Sequence, residues 1–120
     1  MATNESAENY LETILVLSKQ LPVVRSVDVA NELGFKKSSV SIAMKNLREK
    51  NHITTNESGF ISLTESGREI AEMIYERHRF ITAFLTSLGV DDKIAAEDAC
   101  RIEHVISEES FAALKEHIKL

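Results

Sequence analysis

At 120 residues the chain has one domain's worth of sequence, enough for a real core but too short for two independently sized ones. Its hydrophobic fraction of 43% and charged fraction of 28% are those of an ordinary globular protein, and no apolar run approaches the ~18 residues of a membrane helix. No signal peptide is expected at the start of the chain, and its single cysteine excludes an internal disulfide, so a reducing cytoplasm is expected.

The net charge of −5 argues weakly against a nucleic-acid partner, but its distribution argues the other way. Residues 20–50 carry Arg25, Lys36, Lys37, Lys45, Arg48 and Lys50 against Asp28, Glu32 and Glu49, a local balance of +3 that leaves −8 elsewhere. The last thirty residues are rich in Asp and Glu. A basic module joined to an acidic one implies a phosphate-facing surface and a cation-facing one.

With four Gly and one Pro, the chain is expected to be mainly α. The spacing predicts a first helix over 7–19, capped by Ser6, with Tyr10, Leu11, Ile14, Leu15 and Leu17 inward. Asn9 and Glu12 share a different side. A short second helix over 27–33, capped by Ser26, turns Val27, Ala30 and Leu33 inward and ends at Gly34. A third runs from about 38 to 50 with Val40, Ala43, Met44 and Leu47 buried. Ser38, Ser39, Ser41, Ile42, Lys45 and Asn46 are left outside.

Two helices joined by so short a turn, the second starting with small residues and ending basic, suggest a helix-turn-helix. Its hydroxyls and lysines can reach base edges and phosphates, and Ile42 can meet a thymine methyl. An ordinary helical hairpin with a solvated face fits that pattern equally well. The next segment decides: His52–Thr55 and Phe60–Leu63 alternate around Asn56-Glu57-Ser58-Gly59, a hairpin with Gly supplying positive φ. Helix, helix, basic helix and hairpin in this order predict a winged helix with a small two-stranded wing. The DNA-binding candidates are Arg25, Lys36, Lys37, Ser38, Ser39, Ser41, Ile42 and Lys45.

Thr64 caps a long helix over 65–85, about 30 Å at ~1.5 Å per residue, which carries the chain from the basic half into the acidic one. Gly89 and Asp91-Asp92 introduce a helix over 93–106. Ser107 caps a last one ending near Ile118. This apolar helical tail is expected to form a dimer interface. The expected organisation is a winged-helix DNA-binding domain over 1–72 and a helical metal-binding and dimerisation domain over 73–120.

Cys100, Glu103 and His104 stand at i, i+3 and i+4, so a helix gathers a thiolate, a carboxylate and an imidazole on one stripe. That is half of a first-row metal site, or equally a helix with one structural cysteine and two solvated polar residues. Other helices offer His78, Asn9 and Glu12.

The chain resembles the diphtheria-toxin-repressor family of metal-dependent repressors, which includes the manganese transport regulators. The likeness lies in Glu8-Asn9-Tyr10-Leu11-Glu12-Thr13-Ile14, Leu63-Thr64-Glu65-Ser66-Gly67, Arg77-His78-Arg79 and, most specifically, the run from Glu97 to Ser107. The resemblance implies a homodimer that binds a palindromic operator and represses metal-uptake genes when a divalent metal joins its first helix to the dimerisation helices. By position it implies Asn9, Glu12, His78, Cys100, Glu103 and His104 as metal ligands.

The donor set is a hybrid. Asn9 stands where iron-type members have Met and manganese-type ones Asp. Cys100 matches the iron type, where manganese members place Glu, while Glu12 matches the manganese type. Thr82 and Ala96 replace ligands of the iron type's second site, so that site is not expected in its usual form. The family's third, SH3-like domain is not expected here, as in the smaller manganese regulators. A thiolate suits Fe(II) better than Mn(II), so Fe(II) is the expected corepressor and Mn(II) the alternative. The thiol must lose its proton to ligate, so affinity is expected to fall in mild acid.

A metal-independent winged-helix regulator sensing redox through Cys100 is the remaining rival. An enzyme is not expected: Cys100 and His104 on one helix have no evident oxyanion hole or orienting third group, and no Gly-rich phosphate loop is present.

Overall fold

The computed structural model describes residues 4–119. The element order is α1 (Glu5–Gln20), α2 (Ser26–Leu33), α3 (Lys37–Glu49), β1 (Ile53–Thr55), β2 (Ile61–Leu63), α4 (Glu65–Ser87), α5 (Asp92–Val105) and α6 (Glu108–His117). This is the expected mainly α fold with a helix-turn-helix followed by a two-stranded wing. The chain divides between Glu72 and Met73 into two compact units. Residues 1–3 and 120, included in the sequence-level domain limits, lie outside the described residues.

In the first unit, α1 starts earlier than Ser6 would allow, because the Asn4 side chain accepts from the Ala7 N–H at 2.7 Å. Asn is as good a cap as Ser, and the earlier one prevails. Tyr10, Leu11, Ile14, Leu15 and Leu17 are all buried. Helix α2 also begins one residue early: the Arg25 N–H donates to the Asp28 carboxylate at 2.9 Å, a first-turn acid taking the place of a Ser26 cap. Its inward face differs from the expected one. Val29 and Ala30 are buried, Leu33 is partly so, and Val27 is exposed, because eight residues make only two turns and a narrow contact. Gly34 ends the helix in the left-handed region at φ 69°.

Helix α3 buries Val40, Met44 and Leu47 and exposes Ser38, Ser39, Ser41, Ile42, Lys45 and Asn46. The wing strands pair antiparallel with Ile53 opposite Leu63 and Thr55 opposite Ile61. So small a hairpin is marginal alone. It leans on the helices: Ile53 and Ile61 are buried, and the Ile61 N–H donates to Val24 O at 2.7 Å, tying β2 to the α1–α2 connection. The start of α4 closes on the wing base. Thr64 Oγ1 accepts from the Gly67 N–H at 3.2 Å and donates to Asn51 O at 2.7 Å. Gly67 is required for close approach, since a Cβ there would stand 1.9 Å from His52 O.

In the second unit, Ile81 of α4, Ala99 of α5 and Phe111 of α6 form the core, with Phe80, Leu85, Ile102 and Ile106 against it. Phe80 and Phe111 meet edge to face at 5.5 Å. Asp91 and Ser107 cap α5 and α6 by accepting from Lys93 and Ser110 N–H groups. Lys115 pairs with Glu76 at 2.5 Å, a second link from α6 to α4.

Candidate metal centre and nucleic-acid interface

Glu103 is the centre of the acidic half. It lies in the last turn of α5 and is fully buried, at 0% exposure. A carboxylate in that environment is strongly disfavoured unless charge or hydrogen bonds compensate it. Two imidazoles approach it. His78 Nδ1 of α4 is 2.7 Å from Oε1, and His104 Nε2, on the adjacent residue, is 3.5 Å from Oε2. The first distance is a hydrogen bond in which the carboxylate accepts. The second is too long for one, and Oε2 has no hydrogen-bond partner among the described residues. A buried carboxylate oxygen left over between two imidazoles is an anionic N/O donor set, and that chemistry fits a divalent transition metal.

Within the second unit, the structure thus brings together the sequence candidates His78, Glu103 and His104. Cys100, one turn earlier on α5, is exposed, and the shared helical stripe that spacing implies does not give it Glu103's burial. In the first unit Glu12 is buried, at 9% exposure, and Asn9 half-buried; the backbone oxygen of Asn9 accepts from Thr13 Oγ1 at 2.8 Å. Glu8, one turn before Glu12, is buried to the same degree and was not singled out by sequence. Thr82 Oγ1 is a further buried atom with no hydrogen-bond partner among the described residues.

Arg77 is the other residue that sequence reasoning passed over. It is only 6% exposed, and its Nη1 donates to Glu103 O at 3.1 Å and Ile106 O at 2.8 Å. The signal was present: Arg77 continues the inward row of Ile70, Ile74 and Ile81, where a charge is unexpected.

On the basic half, the outer face of α3 presents Ser38, Ser39, Ser41, Ile42 and Lys45 to solvent, with Lys36 and Lys37 exposed at its start. Ile42, 63% exposed, is a large apolar side chain on an otherwise polar face. Arg25 is placed differently: its guanidinium carbon lies 4.9 Å over the Phe60 ring, a cation–π contact with the wing.

Comparison with known proteins accounts for both halves. Residues 2–59 match the family model "Iron dependent repressor, N-terminal DNA binding domain", and residues 64–119 match "Iron dependent repressor, metal binding and dimerisation domain". An uncharacterized HTH-type transcriptional regulator of Methanocaldococcus jannaschii is 35% identical over 114 residues, covering 93% of this chain and 91% of that protein. The transcriptional regulator MntR of Escherichia coli O157:H7 is 33% identical over 111 residues, 92% of this chain and 72% of that one. Among solved structures, a manganese-dependent transcriptional repressor in complex with manganese superposes with a TM-score of 0.83 at 27% identity, covering 92% of this chain. The chain spans about half, 51%, of that repressor's length. The chain belongs to the iron-dependent repressor family of metal-dependent transcriptional regulators, and it is a regulator, not an enzyme.

Proposed function

We propose that the chain is a cytoplasmic repressor of metal-uptake genes whose grip on DNA depends on a bound divalent metal. The observation that carries this reading is the buried Glu103 carboxylate between His78 and His104. The ligand set we propose is Asn9, Glu12, His78, Cys100, Glu103 and His104. When bound, the metal supplies the positive charge that a buried carboxylate cluster needs. Ligands drawn from α1 as well as from α4 and α5 favour whichever arrangement keeps all of them at one ion, which makes the DNA-binding half responsive to metal.

For DNA, the exposed face of α3 is the reading surface: Ser38, Ser39, Ser41 and Lys45 for phosphates and base edges, Ile42 for a thymine methyl. Lys36 and Lys37 add phosphate contacts beside the first-turn N–H groups of α3. A homodimer presents two such helices to the half-sites of a palindromic operator.

Fe(II) is the proposed corepressor, because Cys100 offers a thiolate that suits iron better than manganese. A second reading, Mn(II), is supported by the relatives, several of which are named MntR, and by the similar solved structure of a manganese-dependent repressor. Equilibrium dialysis of anaerobically prepared protein against Fe(II), Mn(II) and Zn(II), followed by operator titration with and without metal, tests the proposal. Metal binding that strengthens DNA binding is expected. Absence of metal binding, or DNA binding indifferent to metal, overturns it.

A further inference from the structure

Arg77 and His78 are consecutive on α4, and both reach Glu103 by different ends. His78 meets its carboxylate; Arg77 meets its backbone oxygen. Through the same Nη1, Arg77 also holds Ile106 O, the carbonyl of the α5 C-cap residue. The last carbonyls of a helix have no intrahelical partner and carry the negative end of its dipole, so a buried guanidinium here makes charge-assisted hydrogen bonds that close the end of α5. The rest of the guanidinium is enclosed by apolar surface. Its carbon lies 5.6 Å from the Phe111 ring centroid, and Nε has no hydrogen-bond partner among the described residues.

A leucine here would continue the row of Ile70, Ile74 and Ile81 without the penalty of desolvating a charge. What it could not do is fix the backbone of the turn that carries Glu103 and His104. We propose that Arg77 is a positioning residue for the metal ligands: it clamps the last turn of α5 so that Glu103 and His104 stand in binding geometry before metal arrives. This inference rests on the metal-binding reading above. Residues that hold ligands in this way contribute to metal affinity without touching the ion, and their loss weakens binding by about 10- to 100-fold. Lysine is not equivalent: both carbonyls accept from Nη1, and a lysine chain is one bond shorter, so its more strongly hydrated ammonium would stand short of that position.

The test compares the full chain with Arg77→Lys, Arg77→Met and, as a packing control, Leu85→Ala, which trims the same core away from the guanidinium. Mn(II) and Co(II) affinities are measured anaerobically, together with the Co(II) absorption spectrum and the Tm of each metal-free protein. Both Arg77 variants are expected to bind about 10- to 100-fold more weakly with an altered Co(II) spectrum, whereas Leu85→Ala lowers Tm but keeps wild-type affinity and spectrum. Should Arg77→Met fail to fold, Arg77→Lys decides. Wild-type affinity and spectrum in a folded Arg77→Lys overturn the proposal, as does an equal loss in Leu85→Ala. If the wild-type chain itself binds no metal, the metal-binding reading falls first, and that outcome is distinct from a wild type that binds well beside variants that bind equally well.

Discussion

His78 Nδ1 and Glu103 Oε1 stand 2.7 Å apart although 25 residues separate them in sequence, with the carboxylate fully buried and the imidazole partly open to solvent. The pair joins α4 to the last turn of α5 through polar atoms at a place where packing alone would favour apolar ones. A carboxylate buried there costs stability relative to well-packed apolar groups.

Glu103→Gln therefore separates the two quantities. The amide keeps the size and the ability to accept from His78 while removing a charge whose second oxygen lacks a hydrogen bond. The metal-free variant is expected to be as stable as the parent or more so in urea unfolding, and to lose metal affinity by at least about 100-fold. A destabilised apo protein with intact metal binding would contradict the assignment.

Cys100→Glu replaces a soft donor by a hard one at an exposed position of α5, so the fold is expected to be unaffected. The ratio of Mn(II) to Fe(II) affinity should rise, read by parallel anaerobic titrations. Unchanged selectivity would remove the thiol from the ligand set.

Lys45→Ala and Ile42→Ala test the outer face of α3. Loss of the Lys45 ammonium should weaken DNA binding across all sequences and lower the slope of log K against log salt by about 1. Ile42→Ala should instead cost about 1–3 kcal/mol at one base pair of the operator and leave the salt slope unchanged. Fluorescence anisotropy over a salt series distinguishes the two, and identical slopes in both variants would exclude Lys45 from phosphate contact.

Gly67→Ala tests the wing base. Alanine is favoured over glycine in a helix by roughly 1 kcal/mol, but the added Cβ would meet the rigid backbone oxygen of His52. The steric term should win, lowering stability by about 1–3 kcal/mol with no change in the denaturant m-value. A stabilised variant would show that the wing can move away from α4 at little cost.

The sequence alone carried the architecture, because hydrophobic period and turn chemistry are local. The stripe of Tyr10, Leu11, Ile14, Leu15 and Leu17, the Gly34 stop and the Asn56–Gly59 turn each specify their own few residues, and the order of those pieces is that of a winged helix. Local signals erred where two neighbours compete for one role, as with Asn4 and Ser6 at the α1 cap, or where a short helix can roll, as with Val27 and Val29.

The candidate site could be proposed from residue type, but its environment could not be read from sequence. Cys100, Glu103 and His104 are equivalent on a helical stripe, yet one is exposed and one has no solvent contact, since burial depends on what packs against α5. Arg77 is the clearest case. In sequence it is a charge interrupting an apolar row; its meaning depends on two carbonyls 26 and 29 residues away. Backbone groups are the same in every residue, so no side-chain pattern announces which of them a distant arginine will hold. Tertiary structure alone made that choice.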